Sequence, residues 1–332
     1  MPKKTNVDLN SLPSEPGAEL YYKEFEEKFL PHWNTAGVSG VLITPDKTSI
    51  SYHLFKATSE KGAVVVLPGR AECYLKHPEL VWDLKELNLT VYLLDHRGQG
   101  LSSRTVLDCD VGHVEKFSDY VDDLSLFFEN IVSKNSHKKV FLLGHSMGGL
   151  VAVHFAARQI HRLDGIVLTA PLFKMLTGLL PNWLAYFITT LATFAGFGTK
   201  YGPGQTPFNA NITFENNYWT RCRHRFENHI AAHRKNRAIN IGEPSNQWIR
   251  EIIRATWGVT KLATKLPMPI LLFQAGYEIF VSKKAHEKFR SSAPNCQLIS
   301  FENAWHELLS ERDDVRQKLR SSMNLFFSSN TL

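Results

Sequence analysis

KVFLLGHSMGGLVAVHFAAR, residues 139–158, carries the strongest fold signal in the chain. It opens on a short apolar run, passes through Gly144-His145-Ser146-Met147-Gly148, and continues with the apolar spacing of a helix. Strand, sharp turn and helix in that order are the context in which a GxSxG sequence presents a nucleophile. A turn so tight crowds the backbone, so glycine stands at 144 and 148, where a Cβ would clash. The turn lifts the Ser146 hydroxyl clear of the sheet and leaves the backbone N–H of Met147 free at a helix N-terminus. That N–H, assisted by the helix dipole, can stabilise an oxyanion.

The same alternation runs outward in both directions. Apolar runs at 63–67, 90–94, 139–143, 164–169, 269–274 and 296–301 are bounded by turn residues, as strands covered on both faces are. Helical periodicity lies between them at 77–88, 114–132, 147–160, 283–290 and 311–327. Alternating strands and helices predict an α/β fold with a mostly parallel central sheet and helices on both faces. Val38–Ile43 and Ile50–Phe55 alternate as two further strands around the turn Pro45-Asp46-Lys47. Residues 172–266 break the alternation, being helical, rich in Trp and Phe, and later basic. The expected organisation is an N-terminal extension over 1–35, a core formed by 36–171 and 267–332, and a helical cap inserted over 172–266.

Beyond the GHSMGG run, Leu67-Pro68-Gly69-Arg70-Ala71-Glu72, Asp95-His96-Arg97-Gly98-Gln99-Gly100-Leu101-Ser102, Thr169-Ala170-Pro171 and Ala304-Trp305-His306-Glu307 stand at the ends of the predicted strands. With Ile241-Gly242-Glu243-Pro244 and Trp248 in the insertion, these motifs make the chain resemble the bacterial lysophospholipase and monoacylglycerol lipase branch of the α/β hydrolases. The resemblance runs from about Val38 to the C-terminus. It implies a serine-dependent carboxylic ester hydrolase acting on single-chain lipid esters, lysophospholipids ahead of monoacylglycerols. It departs from the family at Pro68-Gly69, where His-Gly is usual. By position the departure leaves Arg70 as the second oxyanion-hole residue, through its backbone N–H paired with that of Met147. Asp95 and Arg97 are expected to form a buried pair that braces the site.

The base has to follow the last strand, and His306 does so, a short loop after CQLISF. The order nucleophile, acid, histidine suits this fold. No Asp or Glu occurs from Ala170 to Asn211, which empties the site after the sixth predicted core strand. Glu278 lies four residues past Gln274, where the resemblance implies the acid. It would hold the His306 imidazole in the reactive tautomer. Asp313, Asp314 and Glu302 are the other carboxylates considered.

Composition agrees with a globular enzyme: 332 residues, 43% hydrophobic, 21% charged, net charge +6. Cys73, Cys109, Cys222 and Cys296 have neither disulfide-framework nor zinc spacing and read as free thiols of a reducing compartment. No metal or organic cofactor is implied, and no nucleic-acid module is recognised. The leading residues MPKKTNVDLNSLPSEPG carry no apolar stretch, so the expected location is cytoplasmic. Residues 179–198 form an uncharged stretch of about the length of a bilayer span. Its place between two strands of one sheet argues for interfacial docking, through Trp183, Tyr186, Phe187, Phe194 and Phe197, over crossing. The expected partners are therefore a lipid ester and the anionic surface of the inner membrane. The basic run Arg221, Arg223, Arg225, Arg234, Lys235 and Arg237 reads as a rim to an acyl tunnel or as a solvated helix face. Two alternatives remain open: another enzyme class on the same fold, and a non-catalytic binding protein of that fold.

Overall fold

The computed structural model describes residues 17–158, 162–209 and 211–330. An eight-stranded sheet runs through it in the order β1-β2-β4-β3-β5-β6-β7-β8. The strands are β1 (Gly37–Ile43), β2 (Ser49–Phe55), β3 (Gly62–Leu67), β4 (Leu89–Leu94), β5 (Val140–His145), β6 (Gly165–Thr169), β7 (Ile270–Ala275) and β8 (Cys296–Phe301). The first two join antiparallel, and every pairing from β4 through β8 is parallel. This is the mostly parallel sheet that the apolar runs predict.

The helices are α1 (Ala18–Glu24), α2 (Leu30–Ala36), α3 (Pro78–Lys85), α4 (Phe117–Phe127), α5 (Met147–Ala157), α6 (Asn182–Ala192), α7 (Arg223–Lys235), α8 (Asn246–Thr256), α9 (Val259–Ala263), α10 (Lys283–Ser292) and α11 (Asp313–Asn330). The last two residues of the helix expected over 147–160, and residues 1–16 of the N-terminal extension, lie outside the described residues.

Strand side chains alternate between two cores. Val65, Leu67, Leu142, Leu168 and Leu272 pack with Leu124 of α4, Leu150 of α5 and Phe289 of α10. Val64, Val66, Leu143, Val167 and Phe273 pack on the opposite face with Leu84 of α3 and Leu319 and Met323 of α11. A sheet buried on both faces needs this near-continuous apolar reading, which is why its strands were legible. Parallel strands put their C-terminal ends at one edge, and the loops leaving β3, β5, β7 and β8 therefore meet there. Between β6 and β7 the chain carries α6 to α9, with α6 packed on α8.

Candidate active site

The turn after β5 is as tight as its glycines suggest. A Cβ on Gly144 would lie 2.7 Å from Gly149 Cα, and one on Gly148 only 2.2 Å from Leu67 O. Ser146 itself takes φ 47°, ψ −113°, left-handed backbone that a non-glycine residue adopts only where the surroundings enforce it. Its N–H is held by Thr169 O at 3.0 Å, and its carbonyl accepts from Gly149 at 3.0 Å and Leu172 at 2.9 Å. The turn brings the Ser146 hydroxyl within 3.0 Å of His306, and Met147 is the first residue of α5, where a backbone N–H has no partner within the helix.

The loops after β7 and β8 bring Glu278 and His306 to that hydroxyl. His306 Nε2 lies 3.0 Å from Ser146 Oγ, and His306 Nδ1 lies 2.7 Å from Glu278 Oε2. The other Glu278 oxygen accepts the N–H groups of Phe280 at 2.9 Å and Val281 at 3.3 Å. The Glu278 side chain has no exposed surface. Burial opposes its ionisation, but His306 and the two N–H donors prevail and hold the carboxyl below the usual range. The three other carboxylates lie elsewhere: Asp313 pairs with Arg225 at 2.8 Å, Asp314 with Arg312 at 2.9 Å, and Glu302 accepts from Ser300 at 2.9 Å.

The segment after β3 lies against the elbow. A Cβ on Gly69 would be 3.3 Å from Ser146 Cβ and 3.0 Å from the His145 ring, a fit tight enough that a larger residue would push these side chains aside by a few tenths of an ångström. Gly69 donates to Glu72, and Ala71 donates to Gln99 Oε1 at 3.3 Å. Arg70 stands between these two committed N–H groups. Its side chain has a partner that sequence reasoning missed. The guanidinium donates to Gly242 O at 2.9 Å and Glu243 Oε2 at 3.1 Å, and sits over the Trp248 ring. Arg70 thus joins the segment after β3 to the residues before α8 and to Trp248 within it.

The expected Asp95–Arg97 pair does not form. Arg97 makes a bidentate bond to Asp123 of α4, both contacts at 2.6 Å, and a third to Asp46 at 2.9 Å. Asp95 accepts from the backbone of Tyr74 at 2.7 Å and Leu101 at 2.8 Å. Asp95 is taken up by backbone N–H groups, while Asp123 offers Arg97 both carboxylate oxygens, the bidentate geometry that suits a guanidinium. Burial raises the Asp95 carboxyl to about 7.

The basic run is also less free than its sequence suggests. Arg225 is buried against Glu79 at 2.7 Å and Asp313 at 2.8 Å, Arg223 pairs with Glu215 at 2.7 Å, and Arg221 donates to Asn303 O at 2.9 Å. Arg234, Lys235 and Arg237 are exposed. In the apolar stretch 179–198, Leu179, Trp183, Phe187, Leu191, Phe194 and Phe197 face outward, whereas Tyr186 is half-buried against Trp257. Among the described residues, no helix is long and apolar enough to cross a membrane.

Folding also gathers a buried group that sequence spacing concealed. Possible ligand atoms of Glu72, His145 and Glu307 lie within 4.8 Å of one another. The cation seated among them is the Lys76 ammonium, which bonds both carboxylates.

The chain matches the family described as serine aminopeptidase, S33, over residues 58–313. It is 33% identical over 291 residues to lysophospholipase L2 of Escherichia coli (strain K12), with 85% of each chain covered. It is 24% identical to phospholipase YtpA of Bacillus subtilis (strain 168), over 80% of this chain and 96% of that one. Among solved structures, a soluble variant of the Saccharomyces cerevisiae monoglyceride lipase, in complex with a substrate analog, superposes with a TM-score of 0.71. That match has 19% identity, over 90% of this chain and 96% of that one.

Proposed function

The chain belongs to the serine aminopeptidase S33 family, and from that premise we propose that Ser146 is the nucleophile of a lipid ester hydrolase acting foremost on lysophospholipids. The observation that carries the reading is the hydrogen-bonded chain Ser146–His306–Glu278, with contacts of 3.0 and 2.7 Å. His306 takes the Ser146 proton as the hydroxyl attacks the ester carbonyl. The N–H groups of Arg70 and Met147 receive the oxyanion that develops there. His306 then returns the proton to the leaving alcohol, and water repeats the sequence on the acyl-enzyme. Throughout, Glu278 keeps Nδ1 of the imidazole protonated, so that Nε2 faces the serine as a base.

The family description names a peptidase, whereas the named relatives in Escherichia coli and Bacillus subtilis are phospholipases. Acyl transfer through serine serves amides and esters alike, so the substrate has to be argued from the surroundings. The outward row Trp183, Phe187, Leu191, Phe194 and Phe197 supports a lipid. A contiguous exposed apolar face marks an interaction site, and its aromatics suit the headgroup boundary of a bilayer. We take residues 172–266 as the cap over the site, latched to it through Arg70 and docking peripherally through this face.

Two measurements test the reading. Fatty-acid release should be fastest from lysophospholipid, slower from monoacylglycerol and p-nitrophenyl esters, and absent from an amino-acid p-nitroanilide. Turnover of the anilide with none of the lipids would reverse the assignment. Sedimentation with vesicles should show binding that favours anionic over neutral lipid and weakens only in part at high salt, since Lys174 and Lys200 flank the apolar face. Complete recovery in the supernatant would mean that this face packs against something other than lipid.

A further inference from the structure

The buried group beneath the site has a definite architecture. Glu72 lies three residues beyond Gly69 and accepts its N–H. Glu307 directly follows His306, and its second oxygen lies 3.2 Å from His145 Nε2, beside Ser146. Lys76 bonds to both carboxylates, and only 6% of its side chain is exposed. The connection therefore runs without a gap from Gly69 through Glu72, Lys76 and Glu307 to His145, the residue before the nucleophile. Each end touches a segment that the proposed reaction uses.

The charges balance. His145 Nδ1 lies 3.1 Å from the carbonyl and 3.0 Å from the hydroxyl of Thr169, and Nε2 faces the Glu307 carboxylate, so an imidazolium finds an acceptor at each nitrogen. Burial opposes that charge, but Glu307 and Glu72 outweigh it and raise the His145 value. Two carboxylates then face one ammonium and one imidazolium. His77, at the end of the same turn as Lys76, and His229 and His233 from α7 also face the group; burial lowers all three, leaving them neutral. A buried charge is stable only with its partners in place, and such a network holds its members at fixed separation.

We propose that Lys76 is a positioning residue of the active site, its ammonium clamping the oxyanion segment to the segment that carries the general base. This rests on the function proposed above. A serine hydrolase needs its oxyanion donors and its base at a fixed mutual distance, and misplacement of about 1 Å costs up to roughly 10²-fold in rate. Lys76 supplies that distance constraint from beneath the site, where it touches no substrate.

The test is Lys76→Met, assayed on a soluble p-nitrophenyl ester so that membrane docking does not enter. We expect kcat to fall by about 10- to 10²-fold, with KM within about twofold of the parent. The acid limb of the kcat/KM profile should move to higher pH, because an uncompensated carboxylate beside His306 favours its protonated form. Lys76→Met combined with Glu72→Gln removes one charge of each sign. It should return the limb to its parental position while kcat stays low. A role in stability alone would lower the melting temperature and leave the limb where it was. If Lys76→Met does not fold, the charge-balanced double variant carries the kcat test by itself. Parental kcat in a folded variant, or an unmoved limb in Lys76→Met, would overturn the proposal. Labelling of Ser146 by a fluorophosphonate would still report separately on the reaction assigned to the site.

Discussion

Two histidine–carboxylate pairs lie side by side under the same strand ends, His306 with Glu278 and His145 with Glu307, their imidazole rings 5.0 Å apart. In the first, one ring nitrogen meets the carboxylate and the other meets the hydroxyl of Ser146. In the second, one nitrogen meets the carboxylate and the other a backbone carbonyl and the hydroxyl of Thr169. The side chains are the same in both. What differs is the third partner and the remaining charges. Glu278 has backbone N–H groups on its other oxygen, whereas Glu307 has the Lys76 ammonium. The first pair can cycle one proton with a reacting oxygen. The second is locked by acceptors on both sides and serves as a fixed charge. A histidine becomes a base through what its second nitrogen faces, and a neighbouring carboxylate alone does not decide it.

Substitutions at the two carboxylates should separate the pairs sharply. Glu278→Gln should lower kcat by around 10⁴-fold, because the amide favours the wrong imidazole tautomer, while Glu278→Asp should be milder. Glu307→Gln keeps the shape of the second pair and removes its charge. It should cost about 10²-fold or less, since it disturbs position and not proton transfer. Steady-state kinetics on one soluble ester compares them directly. Equal losses at the two positions would erase the distinction drawn between them, and a nearly silent Glu278→Gln would mean that another acid serves His306.

Much of this was legible in the sequence, for identifiable reasons. The strands on both sides of β5 are continuous apolar runs because the sheet is covered on both faces. The elbow is legible because its turn excludes Cβ atoms at Gly144 and Gly148. Ser146, Glu278 and His306 each follow a strand whose end is fixed by the fold, so position along the chain carried them to one place. The second pair left no such trace. Glu72 and Lys76 follow β3, His145 ends β5 and Glu307 follows β8, far apart along the chain, and no local pattern announces that they meet. Arg97 misled for a related reason: its nearest acidic residue in sequence is Asp95, but its carboxylate partners are Asp123 on α4 and Asp46 after β1. Within the basic run Arg225 misled because its acidic partners Glu79 and Asp313 lie far outside it.

In the proposed reaction Ser146 alone carries the acyl group. The most direct measurement is reaction of the intact protein with a fluorophosphonate, followed by proteolysis and mass spectrometry, with activity followed in parallel. One adduct is expected, on the peptide containing Ser146, its formation tracking the loss of ester hydrolysis. No adduct should form in a folded Ser146→Ala protein, whose kcat should be lower by roughly 10⁶-fold. Full inactivation with Ser146 unmodified, or hydrolysis undiminished once Ser146 is fully labelled, would contradict it.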